Sequence, residues 1–235
     1  MAMRQLALTL SARSPASFDN FVPGRNAELM QVLQALANGL GTERFVYLWG
    51  VPGSGRAHLL HAVVRAAAAA GREAHVVAAP ADVAELADAP DDAVIGLARV
   101  EQLDGAAQAA LFGLYNRMRE ATGALIVTAD APPARLAVRP DLATRLAWGL
   151  VYEVHGLSDQ EKSQAMHERA AERGFELSAE AQAYVLRHGR RDLPALLGLV
   201  DLIDRHSLER KRPVTLPLVR EVLKRIQSGS EDAGD

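Results

Sequence analysis

The fold of this chain is decided by residues 45–61, which read FVYLWGVPGSGRAHLLH. The first five residues are apolar, a length and composition typical of a short buried strand. A glycine-rich turn follows, and then residues 58–70 have the apolar spacing of a helix. A strand, a glycine-rich turn and a helix in this order predict a loop whose backbone N–H groups converge on phosphate.

The loop fits the pattern G-x-x-x-x-G-K-[ST] with two departures: Arg56 stands in place of the lysine and Ala57 in place of the serine or threonine. An arginine can contact phosphate, although its planar fork differs from a compact ammonium. Alanine has no hydroxyl to offer a Mg²⁺ ion. An ordinary glycine-rich turn is the alternative interpretation. The residues predicted to bind nucleotide here are Gly50, Pro52, Gly53, Ser54, Gly55, Arg56 and Ala57.

Short apolar strands alternate with helices on either side of this loop, and that alternation predicts an α/β fold with a parallel, doubly wound sheet. The third predicted strand, 93–97, should be followed by the carboxylates that organise Mg²⁺ and a water molecule. Ala98 and Arg99 stand there instead. Glu101 is displaced along the loop, and we expect it to face solvent or pack locally. These substitutions argue against efficient hydrolysis, and no metal ligand is assigned.

The strand pattern ends at Ser158, which opens a capping box with Glu161, and Ser178 is a second predicted N-cap. The rest is predicted to be helical, with the last helix over residues 216–226. The predicted division is a flexible arm over 1–17, a nucleotide-binding α/β domain over 18–156, a small helical domain over 157–227 and a disordered tail over 228–235.

Composition sets limits on function. The 235 residues carry 26 basic and 29 acidic side chains, a net charge of −3, which does not favour DNA binding as the main activity. The absence of cysteine excludes disulfides, thiolate metal sites and a cysteine nucleophile. No apolar run is long enough to cross a bilayer and no secretory signal is evident, so we expect a soluble cytoplasmic protein without a membrane partner.

Several further motifs follow the loop in a recognisable order, and together they resemble the Hda family of DnaA-related AAA+ proteins over roughly residues 5–226. Arginine at position 56 is itself a feature of that resemblance, whereas Ala57 and the Ala98-Arg99 pair depart from the family's pattern. The motifs are Ser17–Val22, Trp49–Ala62, Leu114–Arg117, Thr128–Pro133, Asp141–Gly149, Leu157–Asp159 and Arg191–Leu193.

The resemblance implies an AAA+ P-loop NTPase fold with a parallel five-stranded sheet and a small C-terminal helical lid. It implies that Thr128 and Asp130, as the sensor-1 segment, and Arg191, as the sensor-2 arginine, help to bind nucleotide. The implied cofactor is ADP; ATP and the use of Mg²⁺ stay open. From the residues alone, Thr128 and Asp130 could instead cap the turn before Pro132, and Arg191 could be a solvated residue at a helix end.

Arg145 lies in the segment that resembles an arginine-finger box, and the resemblance implies that it is catalytic toward a nucleotide held by another protein. An arginine that forms a surface salt bridge is the alternative. The nearby Arg139 is a second candidate for the finger. We prefer Arg145 because it falls within the matched segment.

Near the amino terminus, the segment 5–10 reads QLALTL and resembles a peptide that binds the sliding clamp. A glutamine amide can anchor such a peptide, and spaced leucines can fill an apolar pocket. The alternative is a strand that packs on the protein's own core. The residues predicted to bind the clamp are Gln5, Leu6, Leu8 and Leu10.

The implied function is negative regulation of DNA replication initiation. Bound to the DNA polymerase III β sliding clamp, the protein would promote hydrolysis of DnaA-bound ATP, with weak or no ATPase activity of its own. DNA would be contacted only through the clamp, and homo-oligomerisation stays open. One alternative is a short DnaA-like initiator paralogue, disfavoured because the chain ends soon after the lid. Another is an ATPase of the helicase-loader type, disfavoured by the missing Mg²⁺ ligands.

Overall fold

The computed structural model describes residues 15–77, 90–190 and 192–231, which divide into two compact units at Gly156 and Leu157. In the first unit a 3₁₀ turn leads into a series of alternating helices and strands. The helices are α1 (Ala27–Ala37), α2 (Arg56–Ala69), α3 (Gly105–Glu120) and α4 (Pro140–Leu146). The strands are β1 (Phe45–Trp49), β2 (Ala74–Val77), β3 (Val94–Leu97), β4 (Ala124–Ala129) and β5 (Leu150–Glu153).

All five strands are parallel and lie in the order β2-β3-β4-β1-β5, so the predicted parallel five-stranded sheet is confirmed. Every residue of β3 and β4 is buried, as expected for strands that are covered by helices on both faces. The strand order places β1 between β4 and β5. The carboxyl end of β1, where the glycine-rich loop begins, therefore lies beside the carboxyl end of β4.

Side chains alternate between two apolar cores, one on each face of the sheet. On one face Tyr47 and Val127 pack with α3 and α4. On the other face Val46 and Ile126 pack with α1 and α2. Helix α2 approaches the sheet so closely that a Cβ atom on Gly96 would lie 2.9 Å from a methyl group of Val64.

The second unit contains four helices: α5 (Asp159–Glu172), α6 (Ala179–His188), α7 (Leu193–Arg210) and α8 (Leu216–Glu231). Ser158 forms the predicted capping box with Glu161, and the Ser178 hydroxyl accepts a hydrogen bond from the N–H of Ala181, so both predicted N-caps are confirmed. The core of this unit is aliphatic. Its most buried members are Met166, Ala170, Val185, Val200, Ile203 and Val219.

An ion-pair network joins α5 to α7. Two nitrogens of the Arg169 guanidinium, Nε and Nη2, donate to Asp201, at 2.8 and 3.0 Å. Arg173 donates to Asp201 at 2.6 Å and to Asp204 at 3.0 Å. Such bidentate, charge-assisted pairs fix two helices relative to each other more firmly than apolar contacts alone.

Two helix bounds differ from the sequence-based expectation. Helix α2 begins at Arg56 and not at His58. Helix α8 continues to Glu231, so the predicted disordered tail is wrong for residues 228–231. The serines and the glycine in that stretch cost a helix less than about 1 kcal/mol each, and no proline stops it. Within the described ranges, no helix is long and apolar enough to cross a membrane.

Candidate functional site

The glycine-rich loop follows β1 and bends through three glycines with positive φ: Gly50, Gly53 and Gly55, at 156°, 81° and 106°. Gly55 is the N-cap of α2 in a left-handed conformation, which is why the helix begins directly after it. The first N–H groups of a helix have no acceptor within the helix. The loop therefore presents backbone donors at the positive end of the α2 dipole.

Two of these glycines are required by close packing as well as by backbone conformation. A Cβ atom on Gly50 would lie 2.6 Å from the carbonyl oxygen of Val154, and one on Gly55 would lie 2.7 Å from the Phe21 ring. Phe21 also contacts the ring of His58, whose Nε2 donates to the carbonyl oxygen of Ser17 at 2.8 Å. The segment around residues 17–21 thus braces the loop from outside.

Ser54 supplies a polar atom at the centre of the loop. Its side chain is buried, and its Oγ atom has no hydrogen-bond partner in the described part of the chain. A buried hydroxyl without a partner costs free energy unless a ligand or a water molecule satisfies it. Together with the helix N-terminus, this unsatisfied hydroxyl fits a phosphate group, so the residues present are compatible with the phosphates of a nucleotide.

Arg56 turns away from the loop and donates a hydrogen bond through Nη1 to the carbonyl oxygen of Ala129, the last residue of β4. Thr128, beside it, is buried, and its hydroxyl accepts a hydrogen bond from the N–H of Arg99 at 3.1 Å. Thr128 therefore joins the end of β4 to the end of β3. Asp130, the next predicted site residue, is exposed at the same end of the sheet.

Ala98 and Arg99 stand at the position where carboxylates would hold Mg²⁺. Ala98 continues the ladder by donating its N–H to Val77, and Arg99 adopts a left-handed conformation with φ of 55°. Ala57, exposed in the first turn of α2, adds no hydroxyl. In the ranges that the structure describes, no group of three or more His, Asp or Glu residues could hold a metal ion. These residues do not fit a Mg²⁺ ion in its usual place.

Glu101 packs locally, one of the two positions expected for it. It is partly buried in a 3₁₀ turn, and its Oε2 atom is enclosed without a hydrogen-bond partner in the described residues. Its inward orientation comes directly after the left-handed Arg99, the N-cap of that turn.

The pKa of Tyr47 is affected by the charged side chains at this end of the sheet. Its hydroxyl donates to the carbonyl oxygen of Ala131 at 2.7 Å. Burial, followed by the negative charges of Glu101 and Asp130, raises the pKa of Tyr47 far above its ordinary value, while Arg56 opposes the shift. Glu101, Asp130 and Arg56 therefore act electrostatically on one buried phenol at the centre of the candidate site.

Arg145 is the penultimate residue of α4 and is partly buried. Its guanidinium carbon lies 3.8 Å from the centre of the Trp148 ring and 5.3 Å from that of Phe112. Within the described residues, its side chain forms no ion pair, and Nε is buried without a hydrogen-bond partner. Two aromatic rings contact the Arg145 guanidinium, and no carboxylate among the described residues forms an ion pair with it.

Arg139, the second candidate for the arginine finger, differs from Arg145 because it is paired with a carboxylate. Its Nε and Nη2 atoms donate to the two carboxylate oxygens of Asp141, at 3.2 and 2.6 Å. The hydrogen bond from Arg139 is the largest cause that lowers the pKa of Asp141 below its ordinary value. The structure thus gives Arg139 a partner of its own, which favours Arg145 as the residue that is available to another molecule.

Other predicted site residues lie outside the part of the chain that the structure describes. These are the sensor-2 candidate Arg191 and the clamp-binding candidates Gln5, Leu6, Leu8 and Leu10. The structure also adds residues that the sequence-based assignment did not include. Phe21 lies within the motif Ser17–Val22 and Trp148 within Asp141–Gly149, but the sequence alone assigns neither of them a role. The aromatic residue three positions after the arginine, within one helical turn, was a usable signal for Trp148.

Comparison with known proteins agrees with this architecture. Residues 159–223 match the family described as "Hda, lid domain". Domain III of the replication initiation protein DnaA from Thermotoga maritima superposes with a TM-score of 0.70, at 19% identity over 89% of this chain and 95% of that one. AMPPCP-bound DnaA from Aquifex aeolicus gives a TM-score of 0.68, at 22% identity over 94% and 71% of the two chains.

A third similar structure is the RuvB Holliday junction branch migration motor of Thermotoga maritima, with a TM-score of 0.66 at 17% identity over 89% of this chain and 72% of that one. At these identities the structural matches show the fold, and the family match is confined to residues 159–223 of the C-terminal unit. The predicted AAA+ fold with a helical lid is confirmed, as is the resemblance to Hda. This chain therefore has an AAA+ fold similar to that of DnaA domain III, and its residues 159–223 match the lid domain of the Hda family.

Proposed function

We propose that this protein is a negative regulator of replication initiation that promotes hydrolysis of the ATP bound to DnaA. The observation that carries the proposal is the state of Arg145, a guanidinium held by Trp148 and Phe112 with no acidic partner among the described residues. An unneutralised arginine that is held by its face can place its N–H groups against a transferring phosphoryl group in a neighbouring subunit.

The protein's own nucleotide site has a different role in this proposal. The backbone N–H groups around Gly53 and Gly55, the Ser54 hydroxyl and Arg56 would hold the phosphates of ADP, as the solved Aquifex aeolicus DnaA holds AMPPCP. A bound nucleotide would supply negative charge at the end of the sheet and fix the loop. Because Ala57, Ala98 and Arg99 leave Mg²⁺ without its usual ligands, we expect weak or no ATP turnover by the isolated protein.

Two partners complete the proposal. DnaA supplies the ATP that is hydrolysed, and the β sliding clamp recruits the protein through Gln5, Leu6, Leu8 and Leu10. DNA is contacted through the clamp, consistent with a net charge of −3 that offers no excess of cations. These events take place in the cytoplasm.

The test is single-turnover hydrolysis of ATP bound to DnaA, in the presence of clamp loaded on DNA. Arg145→Ala should remove most of the stimulation, since an arginine finger contributes roughly 10³-fold or more in rate. Arg139→Ala is the matched control from the same segment, and it should stimulate like the unchanged protein because its guanidinium is already paired with Asp141. Full stimulation by Arg145→Ala, with normal folding, would show that the in-trans mechanism is wrong.

A further inference from the structure

Two arginines from different helices meet on one exposed indole ring. Arg119 is the penultimate residue of α3, and its guanidinium carbon lies 4.7 Å from the centre of the Trp148 ring. The guanidinium carbon of Arg145 lies 3.8 Å from the same centre. Trp148 keeps 49% of its surface exposed, and its backbone N–H donates to the carbonyl oxygen of Arg145 at 3.1 Å, which fixes the turn that places both residues.

The two positive charges reinforce each other. Burial is the largest influence on Tyr115 and raises its pKa, and the charges of Arg145 and Arg119 are the next two influences, both acting to lower it. Their fields therefore overlap at one phenol. Glu43 acts on the same phenol more weakly and in the opposite direction. Within the described ranges, neither arginine side chain forms an ion pair with any carboxylate.

This arrangement favours an anion as the missing partner. Two guanidinium groups that contact the same ring repel each other, and the indole compensates only in part, since a cation–π contact at an exposed site is weak. Within the described residues, no hydrogen bond uses the terminal Nη donors of either guanidinium group, although Nε of Arg145 is buried. In-plane donors are the ones that bind phosphate oxygens in a bidentate manner.

We propose that Arg119 contacts the same DnaA-bound triphosphate as Arg145 and that Trp148 is the positioning residue for both; this inference rests on the proposed function. Arg145 acts as the finger, and Arg119 supplies a second positive charge to the phosphate oxygens. Trp148 holds both guanidinium groups at the ends of α3 and α4 without consuming their donors.

A nucleoside triphosphate fits the pair of arginines on Trp148 better than a DNA backbone does. A triphosphate concentrates its negative charge within a few ångströms, which suits two cations gathered on a single ring. A DNA backbone carries its charge along an extended line, and proteins that bind it present a stripe or a patch of many basic residues. The chain has a net charge of −3 and offers no general excess of cations.

The experiment is single-turnover hydrolysis of DnaA-bound ATP with clamp on DNA, measured over a range of concentrations of the variant. It compares Arg119→Gln with Arg65→Gln, a control in which an exposed arginine of α2 has no aromatic or acidic partner among the described residues. Arg119→Gln should lower the maximal rate about 10-fold, less than the roughly 10³-fold loss in Arg145→Ala, and leave the half-saturating concentration unchanged. Arg65→Gln should change neither quantity.

Trp148 is tested in the same assay. Trp148→Leu should lower the maximal rate at least as much as Arg119→Gln does, because both guanidinium groups lose their support. Trp148→Phe, which keeps an aromatic face, should recover most of that loss. The melting temperatures of both variants should stay within a few degrees of the unchanged protein, because the indole is half exposed. Equal loss in Trp148→Leu and Trp148→Phe would contradict the positioning role.

The outcomes separate this inference from the function on which it rests. If Arg145→Ala loses stimulation while Arg119→Gln behaves like Arg65→Gln, the inference is wrong and the proposed function stands. If Arg145→Ala keeps full stimulation, both are wrong. A change confined to the half-saturating concentration in Arg119→Gln would make Arg119 a docking residue and overturn the inference. So would weakened binding of a duplex oligonucleotide by Arg119→Gln at an unchanged hydrolysis rate.

Discussion

Arg56 and Ala129, 73 residues apart in sequence, are joined by a hydrogen bond from the Arg56 guanidinium to the Ala129 carbonyl oxygen. The bond connects the glycine-rich loop to the end of the central strand β4. A lysine ammonium is a compact charge, whereas the arginine fork has five N–H donors and can bind a carbonyl oxygen and a phosphate at the same time. Arg56 therefore holds the end of the sheet and keeps donors for a ligand.

The first prediction concerns this residue. Arg56→Ala should weaken ADP binding by roughly 10- to 100-fold, because a charge-assisted hydrogen bond contributes about 1.5–3 kcal/mol. Titration with a fluorescent ADP analogue measures the change, and Arg65→Gln is the control. Steady-state turnover of ATP should be close to background in both the variant and the unchanged protein. A turnover rate typical of AAA+ ATPases, abolished by Arg56→Ala, would contradict our interpretation of the site.

The second prediction concerns the amino-terminal segment. Replacing Gln5, Leu8 and Leu10 together with alanine should abolish capture by immobilised clamp, since each buried leucine contributes about 1.5–3 kcal/mol. The melting temperature should be nearly unchanged. Arg145→Ala serves as the comparison, because it should lose stimulation of DnaA and still bind the clamp. Undiminished clamp capture by the triple variant would remove this segment from the proposal.

The third prediction separates two reasons for glycine in the loop. Gly53 and Gly55 both have positive φ, but a Cβ atom on Gly53 would meet nothing within 4 Å, whereas one on Gly55 would lie 2.7 Å from the Phe21 ring. Gly53→Ala should cost about 1–2 kcal/mol of stability for the left-handed conformation alone. Gly55→Ala should cost more, because the ring must move. Urea unfolding compares the two, and equal losses would mean that Phe21 yields without cost.

The fourth prediction concerns acid stability of the helical unit. Burial by itself raises the pKa of Asp201, but hydrogen bonds from Arg169 and Arg173 outweigh it and hold that pKa below its ordinary value. Because the folded-state pKa is depressed, the stabilisation is fully present above the unfolded value of about 3.9 and is lost as the pH falls through the folded pKa.

Asp201→Asn should therefore lower the stability at pH 7 by about 1–3 kcal/mol and reduce the further loss of stability below about pH 4. Asp204→Asn is the control, since among the described residues Asp204 pairs with Arg173 alone, and its effect should be smaller. Urea unfolding followed by the helical circular dichroism signal at the two pH values measures both. An unchanged acid profile in Asp201→Asn would show that this carboxylate does not govern acid unfolding.

Much of the fold could be predicted because its signals are local. The apolar run of β1 and the glycines after it are contiguous, and the capping box at Ser158 needs only four residues. The start of α2 was predicted two residues late because the left-handed conformation of Gly55, which caps the helix, is not visible in its identity. Local spacing likewise could not show that α8 continues beyond Ile226.

The candidate site was less predictable because its decisive contacts are non-local. The identity of Arg56 indicated phosphate, but only the strand order shows that Ala129 lies within its reach. The inward turn of Glu101 depends on the backbone of Arg99. Arg119 and Trp148 are separated by 29 positions, so no spacing rule joins them, and only the packing of α3 beside α4 brings the second cation to the ring.

The contacts of Arg119 and Arg145 with the Trp148 ring also make Trp148 an intrinsic fluorescent probe. The chain has only two tryptophans, and the other, Trp49, lies in β1. The emission of an indole shifts with the electric field across its ring, and two guanidinium groups within 5 Å of the ring centre set that field at Trp148. An anion that draws the guanidinium donors toward itself changes the field, so its arrival can be followed by fluorescence without a label.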